Sequence, residues 1–315
     1  MMRFCTPCLA TAAVALGIMA HPSGQQPPLA PGPASPVSLQ VSIEQDDGTP
    51  VRNITRDSIE VFVDGESRSI TSFVPSTRPV SVVLLLDVSA SMRMGGLSSN
   101  IVLQRAVEQW LPYTLKPGDR ARVGTIAKRL FLSDRFTSNP RDLVEAGFVV
   151  RSVPATETNG PSPIWDAIDN AIAALESEDN SRAVLVLTDG RATGNRKGLR
   201  EVGERALAAS ASVHFIGERD VPTAITQISG DQAHVIPSLG PRWLAELTGG
   251  SYESDKRFPW SDPGPIFARV MDRLHHTYTL VFTPASADGK SHNIDIKVRP
   301  VSLTVRARKQ FIASR

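Results

Sequence analysis

An apolar run, VVLLLDVSASM at residues 82 to 92, ends in three oxygen-bearing side chains at alternate positions, Asp87, Ser89 and Ser91. A second run of the same kind, AVLVLTDG at 183 to 190, ends at Asp189. Carboxylate and hydroxyl oxygens are what hard divalent cations take, and Mg²⁺ gathers them with water at about 2.0–2.1 Å in an octahedron. Two buried strands delivering such oxygens to one sheet edge point to a cation site. A third segment, TNGPSPIWDAID at 158 to 169, puts Ser162 in a Gly- and Pro-rich loop just ahead of a helical pattern, where its hydroxyl could complete the shell. Taken singly, each residue has a plainer role: Asp87 and Asp189 as strand-end caps, Ser89 or Ser91 as caps of a following helix.

The elements that must position these groups follow from the hydrophobic pattern. Between about Val80 and Thr277, apolar strands alternate with helical stripes, which predicts an α/β fold, doubly wound, with a mostly parallel sheet flanked by helices. Leu103, Ala106, Val107, Trp110 and Leu111 mark one helix face, which Pro112 is expected to kink or end. Ile164, Ile168, Ala171, Ile172 and Leu175 mark another. Further helices are expected around Leu199 to Ala209, through Trp243, Leu244 and Leu247 up to Gly249-Gly250, and through Ile266, Phe267, Val270, Met271 and Leu274. Strands ARVGTIA and VHFIG lie between them. In open parallel sheets ligands bind at the carboxyl ends of strands near a topological switch point. Asp87 and Asp189 are predicted to sit at such ends.

Outside this stretch the pattern changes to alternation. Val37, Leu39, Val41 and Ile43 alternate with mostly polar neighbours, Asp64-Gly65 signals a tight hairpin, and Ile294, Ile296 and Val298 repeat the alternation near the other end. Isolated hairpins are marginal in water. The strands of residues 36–78 and 278–315 are therefore expected to pack together as one small β-sandwich around a central unit of residues 79–277.

The motifs together are more specific than any one of them. Asp-x-Ser-x-Ser after a buried strand, a loop hydroxyl ahead of WDAI, and TDG after a second buried strand resemble the von Willebrand factor A (VWA) domain with its metal-ion-dependent adhesion site. The flanking segments GTPVRNITRDSIEVFVDG, KPGDRARVGTIA, LAELTGGSYE and VRARKQFIA look like the secreted VWA-related family first described from Acidobacteria. The resemblance implies that Ser89, Ser91 and Ser162 bind the cation directly, with Asp87 and Asp189 binding directly or through water. The cation implied is Mg²⁺, with Mn²⁺ or Ca²⁺ as alternatives, and the missing ligand is an Asp or Glu carboxylate of a protein partner. One departure is visible: the loop position is usually threonine in such domains, and here it is Ser162 between Pro161 and Pro163.

Composition narrows the function classes. With 34 Lys plus Arg against 32 Asp plus Glu in 315 residues, the formal charge is +2, so no global field points to nucleic acid. Arg3 followed by the apolar run Cys8 to Ala20 reads as a secretory signal over residues 1–20, too short for the roughly 20 apolar residues of a membrane span. Residues 21–35 hold five prolines and no charge, an extended linker. Both cysteines, Cys5 and Cys8, fall inside the signal segment, so a processed chain would carry no disulfide. A secreted or periplasmic location is expected, with no membrane span in the processed chain.

An enzyme would need a base, and the histidines do not offer one. His214 lies inside VHFIG, a core position, and His275 and His276 end a helix, where their charge suits the dipole. The sequence contains no Gly-x-Ser-x-Gly elbow, phosphate loop or His-Glu-x-x-His motif. The expectation is a non-enzymatic, cation-dependent protein-binding module. Two alternatives are a structural component of an envelope or secreted assembly, docking through its β strands, and a metal-assisted hydrolase. The basic stretch Lys297, Arg299, Arg306, Arg308, Lys309 and Arg315 could serve such docking, or simply guard an edge strand against aggregation. Trp260, in the loop KRFPWSDPGP, and the polar segment Glu218 to Ser238 are further candidate contact regions.

Overall fold

In a computed structural model of the protein, residues 35–89, 91–92, 99–218, 239–255 and 262–313 are described. Residues 1–34, on which the expected signal and linker fall, together with Trp260, Arg315 and the segment 219–238, lie outside the described residues.

Strands β1 (Val37–Glu44), β2 (Ile59–Val63), β3 (Glu66–Arg68) and β4 (Ile70–Pro75) come first, followed by β5 (Val80–Asp87). Next are α1 (Ser99–Arg105), a π-helical turn Ala106–Trp110, α2 (Leu111–Thr114), β6 (Arg120–Ile126), β7 (Leu130–Leu132), α3 (Pro140–Arg151) and α4 (Ala155–Thr158). Helix α5 (Ile164–Leu175) leads to β8 (Ser181–Leu187), α6 (Leu199–Ala208), β9 (Ala211–Glu218), α7 (Leu239–Thr248), β10 (Tyr252–Asp255) and α8 (Gly264–His275). The chain closes with β11 (Thr277–Phe282), β12 (Ser291–Val298), β13 (Thr304–Arg306) and β14 (Gln310–Ile312).

The central sheet has the order β10-β9-β8-β5-β6-β7, parallel except for the β6–β7 pair. All eight residues of β5 are buried, because helices cover both sheet faces. Val82, Leu84 and Leu86 pack on one side with Val107, Trp110, Leu143, Phe267 and Met271. Val83 and Leu85 pack on the other with Ile164, Ile168, Ile172, Val202 and Leu244. The chain leaves β5 for β6 on one flank and returns through β8 on the other. The crevice between the carboxyl ends of β5 and β8 is therefore the topological switch point where such sheets bind ligands.

Pro112 neither ends nor breaks the helix that carries it. The hydrogen-bond register loosens one turn earlier, in the π segment, where the Leu111 amide donates to the Ala106 carbonyl. Pro112 then falls in the first turn of α2, where a missing N–H costs little. Helical backbone continues to Thr114.

The strands from the two ends of the chain interleave in two antiparallel sheets, ordered β13-β1-β11-β4 and β14-β12-β2-β3. Leu39, Val41, Ile43, Val61, Leu280, Phe282, Ile296 and Phe311 fill one shared core. Asp64 and Gly65, at φ 49° and 85°, make the tight turn between β2 and β3.

Candidate functional site

Asp87 is the last residue of β5 and is completely buried. Its Oδ1 accepts a hydrogen bond from the Ser89 amide at 2.9 Å, an Asx turn that reverses the chain immediately after the strand. Its Oδ2 accepts from Ser162 Oγ at 3.1 Å and from Thr188 Oγ1 at 2.8 Å. Three segments that lie far apart in sequence thus meet at one carboxylate. Ser89 Oγ and Ser91 Oγ are 3.1 Å apart, so the two hydroxyls left over from the first motif are themselves adjacent.

Ser162 is buried, and its backbone is clamped from both sides. Its amide donates to Thr193 Oγ1 at 2.9 Å, and its carbonyl accepts from the Thr193 amide at 2.9 Å and from Ile164 N at 2.9 Å. The loop after β8 is in turn tied to the start of α5: Asn195 accepts from the Trp165 amide at 2.8 Å, and Asp166 accepts from the amides of Arg196 and Lys197 at 3.0 and 2.8 Å. Gly194 makes the approach possible. It has φ +68°, and a Cβ there would lie 2.5 Å from the Pro161 side chain.

Asp189 is buried at the carboxyl end of β8 but bonds within its own loop. Its Oδ1 accepts from the Arg191 amide at 3.0 Å, and Oδ2 stands 3.6 Å from Arg191 Nε. It remains near enough to Asp87 to repel its charge.

The electrostatics of Asp87 follow from this arrangement. Burial pushes its pKa up, hydrogen bonds from Ser89 and Thr188 oppose the rise, and Asp189 adds to it. Among the described residues no Lys, Arg or His forms an ion pair with Asp87; its bonding partners are neutral donors. A buried carboxylate served only by neutral donors is a group whose charge a divalent cation would compensate. The donor set is all oxygen, suited to a hard cation rather than to one that prefers thiolate or imidazole. Among the described residues no group of three or more His, Cys, Asp and Glu is placed to hold a metal, so this donor set depends on its serine hydroxyls.

Sequence reasoning did not single out Thr188, Thr193, Asn195 or Asp166. Thr188 stood inside the quoted TDG motif, and Asp166 inside WDAI, so both were in view as motif letters without a role. Thr193 and Asn195 carried no signal, since their bonds exist only because the loop folds back on α5.

His214 is buried, with Nδ1 3.2 Å from Ser251 Oγ and Nε2 3.0 Å from Ser212 Oγ. Burial, helped by the charges of Arg273 and Arg306, lowers its pKa to about 3. It is a neutral core histidine, as its strand position suggests. His275 pairs with buried Asp119 at 2.6 Å. Arg299 and Arg306 are paired with Glu60 and Glu44, so part of the basic C-terminal stretch is engaged within the sheets.

No family model matches the chain, and no curated protein does. Solved structures with similar folds include an aerotolerance-related membrane protein from Bacteroides fragilis, 17% identical, covering 62% of this chain and 98% of that one, with a TM-score of 0.45. They also include the SpRpn10 VWA domain, 12% identical, covering 62% and 93%, with a TM-score of 0.43. A third is proximal thread matrix protein 1 of the mussel byssus with a zinc-occupied MIDAS motif, 15% identical, covering 66% and 49%, with a TM-score of 0.46.

Proposed function

We propose that this chain is a VWA-type binding module in which Asp87, Ser89, Ser91, Ser162 and Asp189 hold a divalent cation for recognition of a protein partner. The observation that carries the reading is the meeting of Ser162 and the Asp87 motif at the switch point of the sheet, around a buried carboxylate with no cationic partner among the described residues. Mg²⁺ suits the all-oxygen donors, with Mn²⁺ or Ca²⁺ as substitutes. Bound there, the cation would offer an open position to an anionic oxygen, and an Asp or Glu of the partner is the natural donor. This chain's own residues orient and neutralise: Asp87 is fixed by three hydrogen bonds, and Thr193 holds the Ser162 backbone in place.

A binding role is favoured over hydrolysis because, among the described residues, no histidine or lysine bonds to this cluster, and His214 is buried elsewhere in a neutral state. Among the described residues no helix is long and apolar enough to cross a membrane. With the signal-like N-terminus, we place the protein outside the cytoplasm, secreted or periplasmic.

Thermal unfolding tests the cation directly. The melting temperature should rise with millimolar Mg²⁺ or Mn²⁺, fall back with EDTA, and lose this response in Asp87→Ala. An unresponsive wild-type protein would overturn the reading. Capture of a partner from envelope extracts with and without EDTA then separates the two binding alternatives. Retention in EDTA would favour docking through the β strands over the cation.

A further inference from the structure

The α/β layer and the antiparallel sheets enclose a cavity of about 320 Å³ at the end of the central sheet opposite Asp87. It opens beside the first residues of β8 and β9, whereas Asp87 and Asp189 lie at the strands' far ends. Seven to eight residues of strand, about 25 Å, separate the two regions. Its volume is at the lower end of the range that small-molecule sites occupy, about 300–1,000 Å³.

The cavity wall is one-sided in charge. It includes Arg78, Arg182, Arg273, Arg306 and Arg308 and not one Asp or Glu. Two of these charges are compensated from behind: Arg273 lies 2.5 Å and Arg306 3.1 Å from Glu44, which is buried. The other three form no ion pair among the described residues. Arg182 donates to the carbonyls of Glu176, Glu178 and Ala209, which are helix-end and turn carbonyls that it caps. Arg78 donates to the Asp179 carbonyl. Arg308 donates to Ser210 Oγ at 3.2 Å and to the Ser38 carbonyl at 3.2 Å.

Three buried polar atoms on this wall have no hydrogen-bond partner, Arg308 Nε, Ser181 Oγ and Arg273 Nε, and of these only Arg273 Nε faces a carboxylate, that of Glu44 at 2.5 Å. Buried polar atoms are normally satisfied, so an acceptor that reached Arg308 Nε or Ser181 Oγ on a small shift of the wall would pair a donor that now has none. His214, also on the wall, is neutral and adds no compensating charge. Ser38, Ser42, Ser210 and Ser212 add hydroxyls around the same space.

We propose that this cavity binds a small organic anion bearing at least two negative charges, held by Arg308 and Arg78 and by the Ser181 hydroxyl. Guanidinium groups pair with phosphate and carboxylate oxygens in the same forked geometry, so a phosphate monoester and a polycarboxylate share the recognition chemistry. The volume exceeds what a bare oxyanion fills, and Leu207, Ala209 and Leu274 give the remaining wall an apolar part for a carbon skeleton.

Thermal shift and isothermal calorimetry on the full chain, in EDTA, test this with inorganic phosphate, glycerol 3-phosphate and citrate against chloride at matched ionic strength. The expected result is a rise in melting temperature of several degrees with glycerol 3-phosphate or citrate beyond that in chloride. A response to glycerol 3-phosphate alone assigns a phosphate monoester, and one to citrate alone a polycarboxylate. Arg308→Gln should weaken binding about tenfold or more, as expected for removing a charged hydrogen-bond partner. Ser181→Ala removes a hydroxyl that bonds to nothing, so it keeps the fold intact and should still weaken binding several-fold. No response beyond chloride, a response to inorganic phosphate only, or full affinity in both Arg308→Gln and Ser181→Ala would overturn the proposal.

Discussion

Thr188 illustrates what a single hydroxyl does at this site. It donates to Asp87 Oδ2 while accepting from the Gly190 amide, so it links the buried carboxylate to the turn that carries Asp189. Thr188→Val keeps the shape and removes both bonds, and should destabilise the protein by about 1–3 kcal/mol in denaturant titrations run in EDTA. A loss below about 0.5 kcal/mol would mean that the two Thr188 bonds contribute little to the stability of the free protein. His214 provides a second residue-level outcome. Its folded pKa of about 3 lies below the ordinary value near 6.5, so in acid the unfolded chain takes up a proton that the folded chain refuses. Stability should therefore fall as pH drops from about 6.5 towards 3, on the order of 1 kcal/mol per pH unit from this group. Denaturation midpoints at about pH 7 and about pH 5 read the effect, and His214→Gln should flatten it. The residues of the site that were legible in the sequence, Asp87 and Ser162 above all, were those whose spacing from a strand or helix start is set locally. Thr193 was illegible because its contact with Ser162 depends on how a loop 31 residues away returns.

Among the elements, the loop after β8 decides where Ser162 stands. Gly194 sits in the left-handed region against Pro161, and any side chain there is strained both in φ and in space. Gly194→Ala should cost about 1–3 kcal/mol and, by shifting the Pro161–Ser162 loop, weaken the divalent-cation response in thermal unfolding. Gly198→Ser, in open space at the start of α6, is the matched control and should be within about 0.5 kcal/mol of wild type. A neutral Gly194→Ala would show that the loop has room to spare. The strands and helices of the central layer were readable because full burial of a parallel strand leaves a continuous apolar run, as in β5 and β8. That Pro112 does not end its helix has a physical reason. Proline's effect depends on the hydrogen-bond register of the turn before it, and the π segment that absorbs it has no distinctive composition.

At the scale of the whole molecule, Arg273 is the tie between layers. It projects from α8, is almost wholly buried, and reaches Glu44 on β1 at 2.5 Å, Glu253 on β10 at 2.8 Å and Ser251 at 2.7 Å. Arg273→Met leaves Glu44 buried with only Arg306 beside it, and should cost about 3–5 kcal/mol in urea titrations. The double variant with Glu44→Gln should lose less than the sum of the two single variants, and simple additivity would argue against the coupling. That the strands at the two ends belong together was legible from their alternation and from the marginal stability of lone hairpins. Their order in the sheets was not, because which apolar face meets which depends on how the intervening layer delivers β11 beside β1.

That pairing has a consequence for the timing of synthesis. Gln40 on β1 lies opposite Thr279 on β11, 239 positions later in the chain. At about 5–20 residues per second, a ribosome needs roughly 10–50 s to supply that partner after β1 has emerged. Throughout that interval β1 has neither of its strand partners, β11 and β13, so the β layer stays unfinished at its leading end. Such a delay leaves an apolar strand unpaired during synthesis, the kind of surface that a holding chaperone covers.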